Sequence, residues 1–276
     1  STWLALAVAL LWMVHPIHTQ SVTYIVQRGE SLMGCWYLLT LYCVVRGAEA
    51  PRPRRWHVSA VVSCALGMAS KSVMVTAPVM VLLYDWVFLS GSIRGALKER
   101  RGLYIGVAST WTLLGALQAS LGPVLGGGFD MKGMSWLDYA VTQPGVILHY
   151  LRLAFWPTPL VIDYGWPVAK TAEAIVLPSV SLGMGCLATI WGVRRRSSLG
   201  FLGSWLLLIL APTSSFFPLA DPAFEYRMYL PLIAVVALVV IGGWTLLNGL
   251  IRAGHLRRVV AAGLTAGLVL ILGGSP

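Results

Sequence analysis

Two histidines, a glutamine, an arginine and a glutamate crowd one exit from an apolar run. They are His15, His18, Gln20, Arg28 and Glu30, in WMVHPIHTQSVTYIVQRGESL. Lys71 stands alone between two further apolar runs, in GMASKSVMVTAPVMVLLYD. ADPAFEYRMYLP holds Asp221, Glu225, Tyr226, Arg227 and Tyr229, and WPTPLVIDYGWP sets Asp163 and Tyr164 among tryptophans and prolines. The chemistry these types suit is capture of an anionic group at a membrane edge. Arginine binds phosphate bidentately. A lysine in apolar surroundings is costly unless it pairs, snorkels or faces water. Aromatic rings beside Asp163 suit sugar stacking and suit an interfacial belt equally well. His15 and His18 are spaced to share a metal, but no third ligand is fixed by local spacing, and no metal site is assigned. Plainer roles stand beside these: headgroup contact for the histidines and Arg28, snorkelling for Lys71, and a local salt bridge for Glu225 with Arg227. On a helix those last two would point roughly 200° apart, which argues against a simple surface pair.

The elements that must hold these islands are membrane helices. Hydrophobic residues make up 57% of the 276 and charged residues 11%, against about 25% charged in a soluble domain. The expected fold is an all-α polytopic membrane protein. Apolar runs lie near 1–14, 32–45, 56–70, 72–89, 103–121, 174–193, 199–211, 229–250 and 256–273. Fourteen of the 20 basic residues fall in four clusters: Arg46/Arg52/Arg54/Arg55, Arg94/Lys98/Arg100/Arg101, Arg194/Arg195/Arg196 and Arg252/Arg257/Arg258. Such clusters mark the cytoplasmic side. All four share it if a tight outer turn at 70–72 separates two spans and if 144–157 does not cross. That segment, PGVILHYLRLAFWP, reads as a re-entrant or interfacial outer helix. About nine crossings then alternate consistently.

Seven of the ten acids (Glu30, Asp130, Asp138, Asp163, Glu173, Asp221 and Glu225) take the opposite side. The net charge of +10 is therefore a topology signal and a contact for anionic lipids, and nucleic acid is excluded as a partner. Chemistry should face outward. The glycine-rich stretch 122–128 lacks the preceding strand of a phosphate cradle. Cys35, Cys43, Cys64 and Cys186 sit in apolar stretches and form no disulfide or zinc pattern. Serine opens the sequence without a basic leader, so the expectation is a fragment that begins inside a transmembrane helix.

HPIHTQSVTYIVQRGESL, GMASKSVMVTAPVMVLLYDW, HYLRLAFWPTPLVIDYGWP and FEYRMYLP, in this order, resemble motifs of bacterial multi-spanning proteins related to the TMTC O-mannosyltransferases, many of which carry C-terminal tetratricopeptide repeats. The likeness runs over roughly residues 10–235. It implies a GT-C fold and a glycosyltransferase that moves a sugar from a polyprenyl-phosphate donor to a protein hydroxyl on the outer face, by inverting displacement. By motif match, Arg28, Lys71 and Arg227 would take the phosphate and Glu225 would orient Arg227. His15, His18, Gln20, Glu30, Asp163 and Tyr164 complete the expected substrate-binding set. A divalent metal is left open.

Two departures matter. Gln20 stands where the family usually has glutamate. The family's acidic base lies in a first outer loop that this sequence would follow, so the base is expected upstream of Ser1. The whole of 1–276 is then a partial transmembrane domain, inactive as it stands. The expected setting is a bacterial inner membrane with a periplasmic active face. The competing readings are a transporter or flippase for an anionic lipid or sugar, and a membrane scaffold built on a decayed enzyme.

Overall fold

A backbone taken out of water must satisfy its own polar groups, and uninterrupted apolar runs do so as helices. The computed structural model describes residues 2–121 and 134–252. Among them every regular element is helical. The expected stretch 122–128, Asp130, Arg257, Arg258 and the run 256–273 lie outside the described residues.

Helix α1 (Thr2–Val14) stops at His15–Pro16, where proline removes a backbone donor. A 3₁₀ turn, Pro16–His18, leads into short α2 (Thr19–Thr23). Helix α3 (Arg28–Glu49) descends and packs along α4 (Pro53–Ser70), which starts with proline at its first position. Lys71 is extended, at φ −160° and ψ 145°, and breaks α4 from the 3₁₀ turn Ser72–Thr76 and α5 (Ala77–Tyr84). This is the tight turn expected at 70–72. Helices α6 (Ile93–Glu99) and α7 (Arg101–Leu121) follow, with α7 packed on α4. Then come α8 (Trp136–Phe155), α9 (Ala172–Arg194), α10 (Ser198–Leu210) and α11 (Leu232–Arg252).

Two apolar cores hold the bundle. Met33, Tyr37, Cys64, Met74 and Met80 anchor one, among α3, α4, α5, α7 and α10. Ile17, Val146, Tyr150, Leu153 and Met228 anchor the other, where the α1 exit meets α8 and α11. At the end of α5 a single-turn π-helix, Asp85–Leu89, buries Asp85 completely. Its carboxylate accepts from Arg100 at 2.9 and 3.0 Å, Tyr104 at 2.6 Å and Ser90. A buried charge persists only when paired and hydrogen-bonded in this way, so the network ties α5, α6 and α7 at one end.

The count of nine crossings is not supported. Among the described residues four helical segments are long and apolar enough to span: Ile25–Glu49, Ser72–Leu89, Ala172–Arg194 and Leu232–Gly249. A fifth is reached if Thr2–Val14 and Pro16–Thr23, bent by 54°, act as one. Helix α10 has 13 residues, about 20 Å of rise against a hydrocarbon core of about 30 Å. Helix α4 mixes Arg54, Arg55, His57 and serines into its length.

The segment expected at 144–157 also differs from expectation. It begins at Trp136, not at residue 144, because Ser135 and Asp138 form a reciprocal capping box. Pro144 is accommodated inside the helix. Arg28 and Glu30, expected just before a span, lie in the first turn of α3.

Candidate functional site

The polar islands fold into three adjoining knots around the ends of α1, α3, α4 and the 3₁₀ turn Glu225–Met228. The first is centred on Lys71. Its ammonium ion-pairs with Glu30 and donates to Gln27 Oε1 at 3.1 Å. It also lies 4.4 Å from the centroid of the Tyr226 ring, a cation–π distance. Glu30 is buried at 4% side-chain exposure, whereas Lys71 keeps 25%. The extended backbone at 71 aims the side chain across to α3. Arg28 is exposed, at the start of α3, and has no ion-pair partner among the described residues.

The second knot ties the segment 161–164 to the 3₁₀ turn. Gln20 donates to the carbonyls of Val161 at 2.9 Å and Ile162 at 3.2 Å, and accepts from the Tyr226 amide at 3.3 Å. Glu225, buried, accepts from the Val161 amide at 2.8 Å and the Tyr164 hydroxyl at 2.6 Å. Burial, reinforced by the Glu225 carboxylate, pushes the Tyr164 phenol well above its ordinary value. Asp163 is exposed and accepts from the Gly165 amide at 2.9 Å, closing a turn in which Gly165 takes φ +48°. Gln20 explains one departure from the family pattern: a carboxylate has no donor for two facing carbonyls. Gln20→Glu is therefore expected to destabilise the protein by about 2 kcal/mol, read as a lower melting temperature in detergent. Gln20→Leu would leave the same carbonyls unmet but add no charge, and should cost less.

The third knot belongs to Arg227, which is 4% exposed. Its guanidinium donates to the carbonyls of Pro222 at 2.7 Å, Asp221 at 2.7 Å and Thr213 at 3.1 Å, and to the Tyr139 hydroxyl at 3.3 Å. Tyr139 itself donates to the Thr213 carbonyl at 2.6 Å. The expected pairing of Glu225 with Arg227 is corrected here. No ion pair joins them among the described residues, since the carboxylate turns to Val161 and Tyr164 while the fork turns into its own loop.

His15 and His18 occupy the hinge below α1. His15 bonds the Ala154 carbonyl through Nε2 at 3.1 Å and accepts from the Ile17 amide through Nδ1 at 3.3 Å. His18 is buried edge-on between Trp12 and Tyr229, with ring centroids at 5.1 and 4.9 Å. Among the described residues no group of three His, Cys, Asp or Glu is placed to hold a metal. Tyr229 in turn lies against Gly34, where a Cβ would come within 2.7 Å of its ring. Gly34→Leu is expected to overpack this contact and destabilise the protein by about 1–3 kcal/mol, measured by thermal unfolding. Gly29→Ala, on the same helix, has space and serves as the control.

Between the first two knots lies a cavity of about 270 Å³, lined by Thr19, Gln20, Thr23, Tyr24, Phe224 and Tyr226. The Phe224 and Tyr226 rings stack at 5.1 Å. Hydroxyls and flat rings together suit a sugar, and Lys71 stands over Tyr226 at its edge. Gln27, Tyr139 and Trp12 were missed by sequence reasoning. Tyr139 is 88 positions from Arg227, and no local pattern links them.

Residues 1–117 match the family model described as dolichyl-phosphate-mannose-protein mannosyltransferase. The N-terminal part of the chain is similar to that family. Among curated proteins, Protein O-mannosyl-transferase Tmtc2 of Drosophila melanogaster is 30% identical over 122 residues. That alignment covers 42% of this chain and 12% of Tmtc2, so the chain corresponds to a small part of that protein. No solved structure gives a significant match. His15, His18, Gln20, Arg28, Glu30 and Lys71 fall within residues 1–117, the stretch that the family model matches. Asp163, Tyr164, Glu225 and Arg227 lie beyond residue 117. The family match and the apolar helices agree on an integral membrane protein.

Proposed function

We propose that the chain is the membrane-embedded donor-binding part of a mannosyltransferase-type glycosyltransferase. It takes a polyprenyl-phosphate sugar at the outward face of a bacterial inner membrane, for transfer to a protein hydroxyl. The observation that carries this reading is the Lys71 ammonium, held at the rim of an aromatic and hydroxyl-lined cavity of about 270 Å³. A phosphate arriving there shares the ammonium with Glu30, and the sugar rests on Phe224 and Tyr226. Away from bulk water such a cation is worth more to the departing phosphate than it would be in solution. Arg28 is a second cation within the same helix turn as Glu30, and among the described residues it has no competing ion-pair partner. Arg227 holds the loop that presents Tyr226 instead of touching the donor.

Neither buried carboxylate serves as the base. Glu30 is paired with Lys71, and Glu225 is held by Val161 and Tyr164. A scaffold reading draws on the same observation. A transporter reading needs paired broken helices, and the described residues hold one bent pair.

The test is binding to the full-length protein in nanodiscs of three ligands: polyprenyl-phosphate mannose, polyprenyl phosphate and mannose 1-phosphate. Tightest binding of the first, weakened by Tyr226→Leu, supports the reading. Equal binding of polyprenyl phosphate with and without sugar removes the sugar site from it.

A further inference from the structure

Helix α4 ends in Lys71's turn and begins at the opposite end of the bundle, 18 residues away, a rise of about 27 Å. There Arg52, Arg54 and Arg55 stand exposed in succession. Among the described residues none of the three has a carboxylate at ion-pair distance. Two adjoining cavities, of about 630 and 530 Å³, share Pro53, Arg54 and Val58. The second runs down the groove between α4 and the start of α7. Its α4 wall carries Val58 and Val62, 56% and 51% exposed and one helical turn apart. On the α7 wall Gly102 leaves open space where any side chain would narrow it. Arg100 and Glu99 also line the groove, but Arg100 is held by Asp85 and Glu99 lies 3.6 Å from Arg100.

Three adjacent guanidiniums repel one another unless an anion with several oxygens meets them. The apolar track beside them leads along α4 away from the polar rim. These two features together describe a phospholipid more closely than a soluble anion, which would have no use for the track. We propose that this groove binds one anionic phospholipid of the leaflet on the basic face. The phosphate sits on Arg52, Arg54 and Arg55, and an acyl chain lies along Val58 and Val62. Basic residues near a membrane surface attract anionic lipid in general; the groove makes the interaction a site. The inference stands apart from the sugar-transfer reading.

The experiment is native mass spectrometry of the full-length protein with phosphatidylglycerol or phosphatidylcholine, after confirming a single folded species by size exclusion. Wild type is expected to retain one phosphatidylglycerol in preference to phosphatidylcholine. R54Q/R55Q should lower that occupancy at least fivefold, and Val62→Trp, which keeps every charge and fills the track, should lower it as well. R194Q/R195Q removes the same charge at the end of α9 and should leave it unchanged. Equal losses in the two double variants, or equal retention of phosphatidylcholine, would overturn the site. So would displacement by inorganic phosphate with Val62→Trp silent, which would mean a phosphate site without a lipid.

Discussion

Lys71→Met is expected to destabilise the protein by about 3 kcal/mol and to weaken donor binding by about 10- to 100-fold. The stability effect comes from Glu30, which is buried at 4% side-chain exposure and loses its ion-pair partner. Stranding a buried charge costs about 3–5 kcal/mol, and the partial exposure of Lys71 argues for the lower end. The binding effect is separable. In the double variant K71M/E30Q no charge is stranded, so most of the stability should return, read as recovery of the melting temperature. Donor affinity should not return. A charged hydrogen bond to phosphate is worth about 1.5–3 kcal/mol, or about 10- to 100-fold in affinity. Glu30→Gln alone should fold and keep the donor, because Lys71 then has no competing carboxylate.

Arg227→Ala should be the most damaging change at the site, lowering stability by about 3–5 kcal/mol, since a hydrogen bond from a charged donor is worth about 1.5–3 kcal/mol and several are lost at once. Four acceptors lose a hydrogen bond together: the carbonyls of Thr213, Asp221 and Pro222, and the Tyr139 hydroxyl, with Thr213 keeping only Tyr139 and Pro222 only Gln143. Arg227→Lys should rescue little, since an ammonium cannot reproduce the planar fork that meets acceptors on both sides. The distinguishing readout is limited proteolysis of the loop between α10 and α11. Loss of donor binding in Arg227→Ala should come with cleavage there, whereas K71M/E30Q should lose the donor with the loop protected. Donor loss in Arg227→Ala with a protected loop would return the guanidinium to the phosphate site.

The positions of the polar islands were readable from the sequence, and their partners were not. Lys71 between two apolar runs announces a turn, because lysine is tolerated there only at a water boundary or in a pair. That the pair is Glu30 depends on α3 and α4 lying side by side, which no spacing within either helix encodes. Glu225 and Arg227 sit two apart and invite a mutual role. Their actual partners, Tyr164 and Tyr139, come from segments 61 and 88 positions away. Gln20 looked like a lost charge, and it becomes intelligible only beside the two carbonyls it meets. The start of α8 departs from the expected residue 144 for a local reason. The Ser135–Asp138 capping box starts α8 ahead of its proline, and the apolar run that drew attention begins later.

The most direct test of the account is the affinity of polyprenyl-phosphate mannose for full-length wild type, E30Q and K71M/E30Q, measured in nanodiscs on samples of matched melting temperature. Wild type and E30Q are expected to bind, and K71M/E30Q to fall by at least tenfold while remaining folded. Equal affinity in E30Q and K71M/E30Q would contradict the placing of the donor phosphate on Lys71.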